Sequence, residues 1–217
     1  MIRVLLADDE AMIRAGVRAI LSADPEIEVV AEAGDGRQAV ELALSHRPDV
    51  VLLDIRMPRL DGLAAAAELR RVLPTASLII LTTFGEDEYI ARALSDGASG
   101  FLLKSGDPNE LITGVHAVAE GAAYLSPKVA HRVITELGRG RMSHGSAARR
   151  RTETLTPRER EVLALVGAGL SNAEIARRLH VVEGTVKAYM SAILTRLEVR
   201  NRVQAAIIAY EAGLIGD

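Results

Sequence analysis

A chain of 217 residues with 49% apolar content has room for one large domain or two small ones, each with a core of its own. It has no cysteine, which excludes a disulfide framework and thiolate metal sites, and no apolar run approaches the roughly 20 residues needed to cross a bilayer. The net charge of −3 hides an asymmetry: residues 1–138 carry 13 Lys/Arg against 21 Asp/Glu, whereas residues 139–217 carry 13 against 8. An acidic module followed by a basic one points to a nucleic-acid contact on the second, with solvated surface charge as the plain alternative. Met1-Ile2-Arg3-Val4 enters a strand without a basic-then-apolar leader, so a cytoplasmic location and no membrane partner are expected.

From Met1 to about Gly121 short apolar runs alternate with segments of helical period, the pattern of βαβ units and a parallel sheet. The runs are 2–7, 27–31, 50–53, 78–81 and 100–103; the helical segments are about 10–22, 36–46, 62–73, 86–96 and 107–121. Gly97 and Gly121 stand where helix C-caps belong. Ser126-Pro127 starts a further helix to about Leu137, with Ser as cap and Pro in the first turn. Residues 138–153 are rich in Gly, Ser and Arg, lack an apolar period and read as a flexible linker; Arg149 to Arg151 within it either touch DNA phosphates or are solvated.

Three capping boxes follow: Thr156-x-x-Glu159 with Pro157 inside, Ser171-x-x-Glu174, and the related Asn201-x-x-Gln204. In Glu183–Leu197 the apolar Val186, Met190, Ile193, Leu194 and Leu197 fall on one helical face. Gly184, Ala188, Ser191 and Thr195 share the other with Lys187 beside them, a slim polar face that fits a major groove. Segments 172–179 and 183–197 around a tight turn have the form of a helix-turn-helix. Helix 202–212, with Val203, Ala206, Ile207 and Tyr210 on one stripe, is either a dimer seam or core packing.

Polar residues stand directly after the apolar runs of the first part: Asp8 and Asp9, Asp54, Thr82, Lys104. Ligands of open α/β sheets bind beyond the carboxyl ends of the strands, so these side chains converge. Together they cover the needs of phosphoryl transfer to a carboxylate: a nucleophile, charge neutralisation and alignment. Asp54, alone after its strand, is the nucleophile candidate. Asp8 and Asp9 are adjacent and share a divalent cation, for which hard oxygen ligands favour Mg2+. Lys104 offsets phosphate charge and Thr82 donates a hydrogen bond to it. Taken singly, Asp8-Asp9 also reads as a helix cap, and Thr82-Thr83 and Asp61-Gly62 as turn residues.

These residues match a known family. The first 121 residues resemble the receiver domain of bacterial response regulators, through Asp8-Asp9-Glu10, Asp54-Ile-Arg-Met-Pro-x-x-Asp-Gly62, Leu81-Thr82-Thr83 and Gly100-Phe-Leu-Leu-Lys104. The end of the chain resembles the family's LuxR-type DNA-binding domain, through Leu155-Thr-Pro-Arg-Glu-Arg-Glu-Val-Leu163, Gly169-Leu-Ser-Asn-x-Glu-Ile-Ala176 and Glu183-Gly-Thr-Val-Lys187. The pair places the chain in the NarL/FixJ group.

The resemblance implies a five-stranded doubly wound, flavodoxin-like receiver over 1–121, a linker helix and flexible linker over 122–153, and a small all-α helix-turn-helix domain over 154–217. It implies phosphorylation of Asp54 by a sensor histidine kinase, with Mg2+ held by Asp9, Asp54 and the backbone carbonyl of Arg56, and by Asp8 partly through water. Thr82 and Phe101 would be the switch pair. Lys187, Ala188 and Ser191 match groove-facing positions of the family, and Asn172, Thr185 and Arg196 are candidate phosphate contacts. Val182 departs from the Ser or Thr that usually caps the reading helix, a loss worth about 0.5–2 kcal/mol. Ala188 and Ser191 are short, which shifts specificity toward shape and water. Tyr189 replaces the commoner His and reads as packing.

The expected function is a phosphorylation-dependent transcriptional regulator, not an enzyme, that dimerises on promoter DNA and contacts RNA polymerase. Two rivals remain. An aspartyl-phosphate hydrolase needs an acid/base Asp two residues after the nucleophile, where Arg56 stands, and a capping insertion that is not visible. A degenerate receiver would act without phosphate, although all five site residues are present.

Overall fold

The computed structural model describes residues 1–82, 98–126, 129–130 and 141–215. The expected helix 86–96, Thr83, Gly97 and most of the expected helix after Ser126 lie outside the described residues.

The strands are built from the apolar runs: β1 (Ile2–Ala7), β2 (Ile27–Ala33), β3 (Val50–Asp54), β4 (Ser77–Thr82), β5 (Gly100–Leu103) and β6 (Tyr124–Leu125). They form one parallel sheet in the order β2-β1-β3-β4-β5-β6. Val50–Leu53, Leu78–Leu81 and Val4–Ala7 are all buried, because a parallel sheet covered on both faces hides successive side chains rather than alternate ones. Each buried Val, Leu or Ile among them contributes roughly 1.5–3 kcal/mol by leaving water. Among the described residues the sheet has six strands where the sequence predicts five; β6 is only two residues long and leaves no periodic signal.

Helices α1 (Ala11–Leu21), α2 (Gly36–His46), α3 (Gly62–Val72) and α4 (Pro108–Ala119) accompany the sheet. Asp35 and Asp61 cap α2 and α3, accepting from the backbone N–H of Gln38 and Ala64 at 2.9 and 2.7 Å.

The chain divides into two compact units, Met1–Ala119 with Tyr124–Val129, and Glu120–Ala123 with Ala130–Asp217. The second unit contains α5 (Arg141–Glu153), α6 (Pro157–Gly167), α7 (Asn172–Leu179), α8 (Glu183–Arg196) and α9 (Arg202–Glu211). Of the three expected capping boxes, two close, at Thr156/Glu159 and Ser171/Glu174. Asn201 caps α9 by accepting from Gln204 N–H at 2.7 Å, while the Gln204 side chain reaches one residue further back, to Arg200 N–H.

Over 141–153 the expectation of a flexible linker is corrected. These residues are helical, and Ala148 and Thr152, 3% and 4% exposed, are buried in the second unit. The described contacts are made by these small residues and by Arg149 and Arg151, which donate to the carbonyls of Ala212 and Leu197, so no apolar period is left to read. Among the described residues no helix is long and apolar enough to cross a membrane.

Candidate functional site

The sheet order places β1 beside β3, and the register sets Ala7 against Leu53, so Asp8 and Asp54 leave neighbouring strands side by side. Asp54 lies opposite Leu81, and Thr82 opposite Leu103, which brings Thr82 and Lys104 to the same end. Asp8, Asp54 and Thr82 are 0%, 5% and 2% exposed. The Lys104 ammonium bridges the two acids, 2.8 Å from Asp8 Oδ2 and 2.9 Å from Asp54 Oδ1. Asp9 is exposed beside them, and one oxygen from each of Asp8, Asp9 and Asp54 lies within 4.8 Å of the others.

Burial pushes the Asp54 carboxyl above its ordinary pKa, and the charge of Asp8 adds to this, against hydrogen bonding and attraction from Lys104. Burial pulls the Lys104 ammonium down, but its bonds to Asp8 and Asp54 outweigh that and hold it above its usual range. Among the described residues one ammonium thus stands against a cluster of three carboxylates. Apart from that ammonium, no donor among the described residues reaches the buried Asp8 Oδ2. A second, divalent cation fits this donor set: oxygen ligands, an excess of negative charge, and an open side at Asp9.

The loop behind Asp54 is set by a residue the sequence reading treated as turn chemistry. Gly62 N–H donates to the Ile55 carbonyl at 2.9 Å, and a Cβ on Gly62 would stand 1.8 Å from the Asp54 carbonyl oxygen. Only glycine lets α3 begin this close to the strand that carries the acid. Arg56 is exposed between the buried Ile55 and Met57. Phe101 is fully buried on β5, next to β4, which ends at Thr82.

In the second unit α7 and α8 form the expected helix-turn-helix. His180 takes the left-handed conformation, φ 55°, and the Val181 N–H returns to the Ala176 carbonyl. Val186, Met190, Ile193 and Leu197 enter the core, with Tyr189 packed against it as expected. Gly184, Lys187, Ala188, Ser191 and Thr195 are exposed, and Thr185 is half-buried in the first turn. Ser191 and Thr195 turn their hydroxyls back to the carbonyls of Lys187 and Ser191. Val182 occupies the N-cap with no side-chain hydrogen bond and is 72% exposed. On α9 the expected stripe splits: Val203 is core, Ala206 and Ile207 are half-buried, and Tyr210 is exposed.

Two of the candidate phosphate contacts have other duties. Asn172 is buried and its Oδ1 accepts from Arg202 Nη1 at 2.7 Å. Arg202 also donates to the Leu170 carbonyl, and its burial pulls its pKa down to about 10. Arg196 pairs through Nε with Glu159 and donates through Nη1 to the Thr154 carbonyl, each at 3.3 Å. Neither engagement was visible in the sequence, because each partner is brought in by another helix.

Residues 4–116 match the response regulator receiver domain family, and residues 153–209 match the LuxR family of bacterial regulatory proteins. The chain is 39% identical over 214 residues to the uncharacterized transcriptional regulatory protein YxjL of Bacillus subtilis, covering 99% of this chain and 97% of that one. It is 36% identical to the nitrate/nitrite response regulator protein NarL of Escherichia coli, over 96% and 94% of the two chains. Among solved structures, the response regulator ChrA of a heme-sensing two-component system is 35% identical, with 99% and 98% of the chains covered and a TM-score of 0.55. The chain belongs to the response regulators: it is a two-component transcriptional regulator in which a receiver domain is followed by a LuxR-type DNA-binding domain.

Proposed function

We propose that Asp54 accepts the phosphoryl group that controls DNA binding, and that a sensor histidine kinase supplies it. The observation that carries this is the buried pair Asp8 and Asp54 joined by one ammonium, with Asp9 within reach. An Asp54 carboxylate oxygen attacks phosphorus in line with the donor's imidazole nitrogen. A P–O bond forms as the P–N bond breaks, and the electron pair leaves with the imidazole. Lys104 neutralises one phosphoryl oxygen and the Thr82 hydroxyl donates to another. Asp9, Asp54 and the Arg56 carbonyl would hold Mg2+, with Asp8 partly through water. When bound, that ion offsets charge on the transferring oxygens.

Thr82 and Phe101 form the switch pair: the hydroxyl moves toward the phosphoryl group and the ring repacks. Lacking a hydroxyl, Phe101 responds by packing alone. The modified receiver favours a homodimer that sets two helix-turn-helix units on paired half-sites of promoter DNA in the cytoplasm, where it works with RNA polymerase. Lys187, Ala188 and Ser191 face the groove and Thr185 lies near phosphate; Asn172 and Arg196 leave the contact set because of their internal partners. Arg56, where a phosphatase would need an acid/base carboxylate, supports regulation rather than turnover.

The test is intact mass and solution molecular weight after treatment with acetyl phosphate and Mg2+, beside Asp54→Ala. The expected result is one phosphoryl adduct with dimer formation in the wild type and neither in the variant. An adduct that persists in Asp54→Ala, or DNA binding equal with and without modification, would overturn the reading.

A further inference from the structure

The carboxyl ends of α5 and α8 meet within the second unit, and each sends an arginine to the other. Arg151, in the last turn of α5, donates through Nη2 to the carbonyl of Leu197, the residue that ends α8. Arg196, in the last turn of α8, donates through Nη1 to the carbonyl of Thr154, just past α5, at 3.3 Å. Its Nε pairs at 3.3 Å with Glu159, 4% exposed, whose other oxygen accepts from Thr156 N–H and Oγ at 2.8 and 2.9 Å in the capping box of α6. A helix carboxyl end carries about half a negative charge, so two of them side by side repel unless cations stand between. Here each end carries the cation that the other requires. Ala148 and Thr152, buried beneath, fix the helix from which Arg151 reaches.

We propose that Arg151 and Arg196 form a reciprocal clasp that sets the angle of α8, making them positioning residues for DNA reading rather than phosphate contacts. The inference rests on α8 being the helix that enters the groove. Leu197 and Lys187 are ten residues apart, about 15 Å along the axis, so a small tilt at the clasp is magnified where bases are read. The clasp also makes the segment from 141 onward part of the reading unit, so the chain that enters it bears on the far end of the reading helix.

The test uses full-length protein and two duplexes, one selected by the wild type from a random pool and one of unrelated sequence, titrated over a range of salt. Arg151→Gln is expected to bind the selected duplex about tenfold more weakly and the unrelated duplex within about twofold of wild type, because a charge-assisted hydrogen bond is lost and no phosphate contact is. The dependence of affinity on salt stays as in wild type. Arg196→Gln should match it, and the double variant should be little worse than either single one, because the pair acts as a unit. Lys187→Ala is the contrast: both duplexes weaken and the slope of log affinity against log salt falls by about one.

If Arg151→Gln behaves as Lys187→Ala does, or leaves selectivity unchanged, the clasp is overturned. Should Arg151→Gln lose helical circular dichroism, Arg151→Lys replaces it. That variant keeps the charge without the fork, so a smaller but still selective loss is expected, and binding identical to wild type overturns the proposal. If instead Ser191→Ala and Ala188→Ser leave the selected sequence unchanged, it is the assignment of α8 as the reading helix that has failed.

Discussion

The two units place their functional side chains by opposite means. In the receiver Asp8, Asp54 and Thr82 are buried, come from three strands, and are fixed by the register of a sheet whose interior is filled with Val, Leu and Ile. In the DNA-binding unit Lys187, Ala188 and Ser191 are exposed on one helix, which is held along its back and at its carboxyl end while the face itself stays free. A buried polar site is over-determined, since moving one member leaves another's charge uncompensated. An exposed face is set by orientation, so it can be retuned without disturbing the fold. Changes in the first unit should therefore act on stability and chemistry together, and changes in the second on affinity or on local helix ends.

The largest expected effect is that of Lys104→Met. Removing the ammonium leaves buried carboxylates facing each other, and unfolding in urea with a chelator present should show a loss of about 3–5 kcal/mol. Mg2+ should restore part of it by binding the folded form. Unchanged stability would mean that the receiver is no more tightly determined than the exposed face. Gly62→Ala comes next: the backbone carrying Asp54 must shift to admit a Cβ, for a loss of about 1–3 kcal/mol and a sharp fall in phosphoryl uptake measured by intact mass.

On the other side of the comparison, Val182→Ser should stabilise. The position already has extended backbone, φ −85° and ψ 154°, and a hydroxyl there supplies the missing cap, for a gain of about 0.5–2 kcal/mol in thermal or urea unfolding. The smallest effect is that of Glu174. Its bond from the Ser171 backbone N–H, then that with the Ser171 side chain, holds its carboxyl below its ordinary value of 4.5. A depressed folded value means the stabilisation is fully present above pH 4.5 and is lost as pH falls through the folded value. Thermal midpoints of wild type and Glu174→Gln should therefore converge at the acid end and separate as pH rises past 4.5.

The contrast also governs what could be read from the sequence. The strands and the convergence of Asp8, Asp9, Asp54, Thr82 and Lys104 were legible because each polar residue follows an apolar run, and the sheet then fixes its address. The helix-turn-helix was legible from two capping boxes and one amphipathic segment. Three features were not. Helix α5 packs through Ala148 and Thr152, a stripe too slight to produce a period. Asn172 and Arg196 carry the polar character of phosphate contacts, and only the arrival of Arg202, Glu159 and Thr154 from elsewhere turns them inward. Gly62 looks like any turn glycine until the Asp54 carbonyl is found against it.

The two-residue strand β6 has a bearing on the protein's behaviour at high concentration. Tyr124 and Leu125 pair with Gly100 and Phe101, and Ser126 N–H continues the ladder to the Phe101 carbonyl at 3.0 Å. Without them Gly100-Phe-Leu-Leu103, apolar and uncharged, would border the sheet with open amides, a template for strands of other molecules. On the opposite border, β2, the exposed Glu28 discourages such pairing by charge, while Glu32 is half-buried and paired with Arg14 and Arg18. A segment too short to register as a strand in the sequence thus guards the molecule against self-association into aggregates.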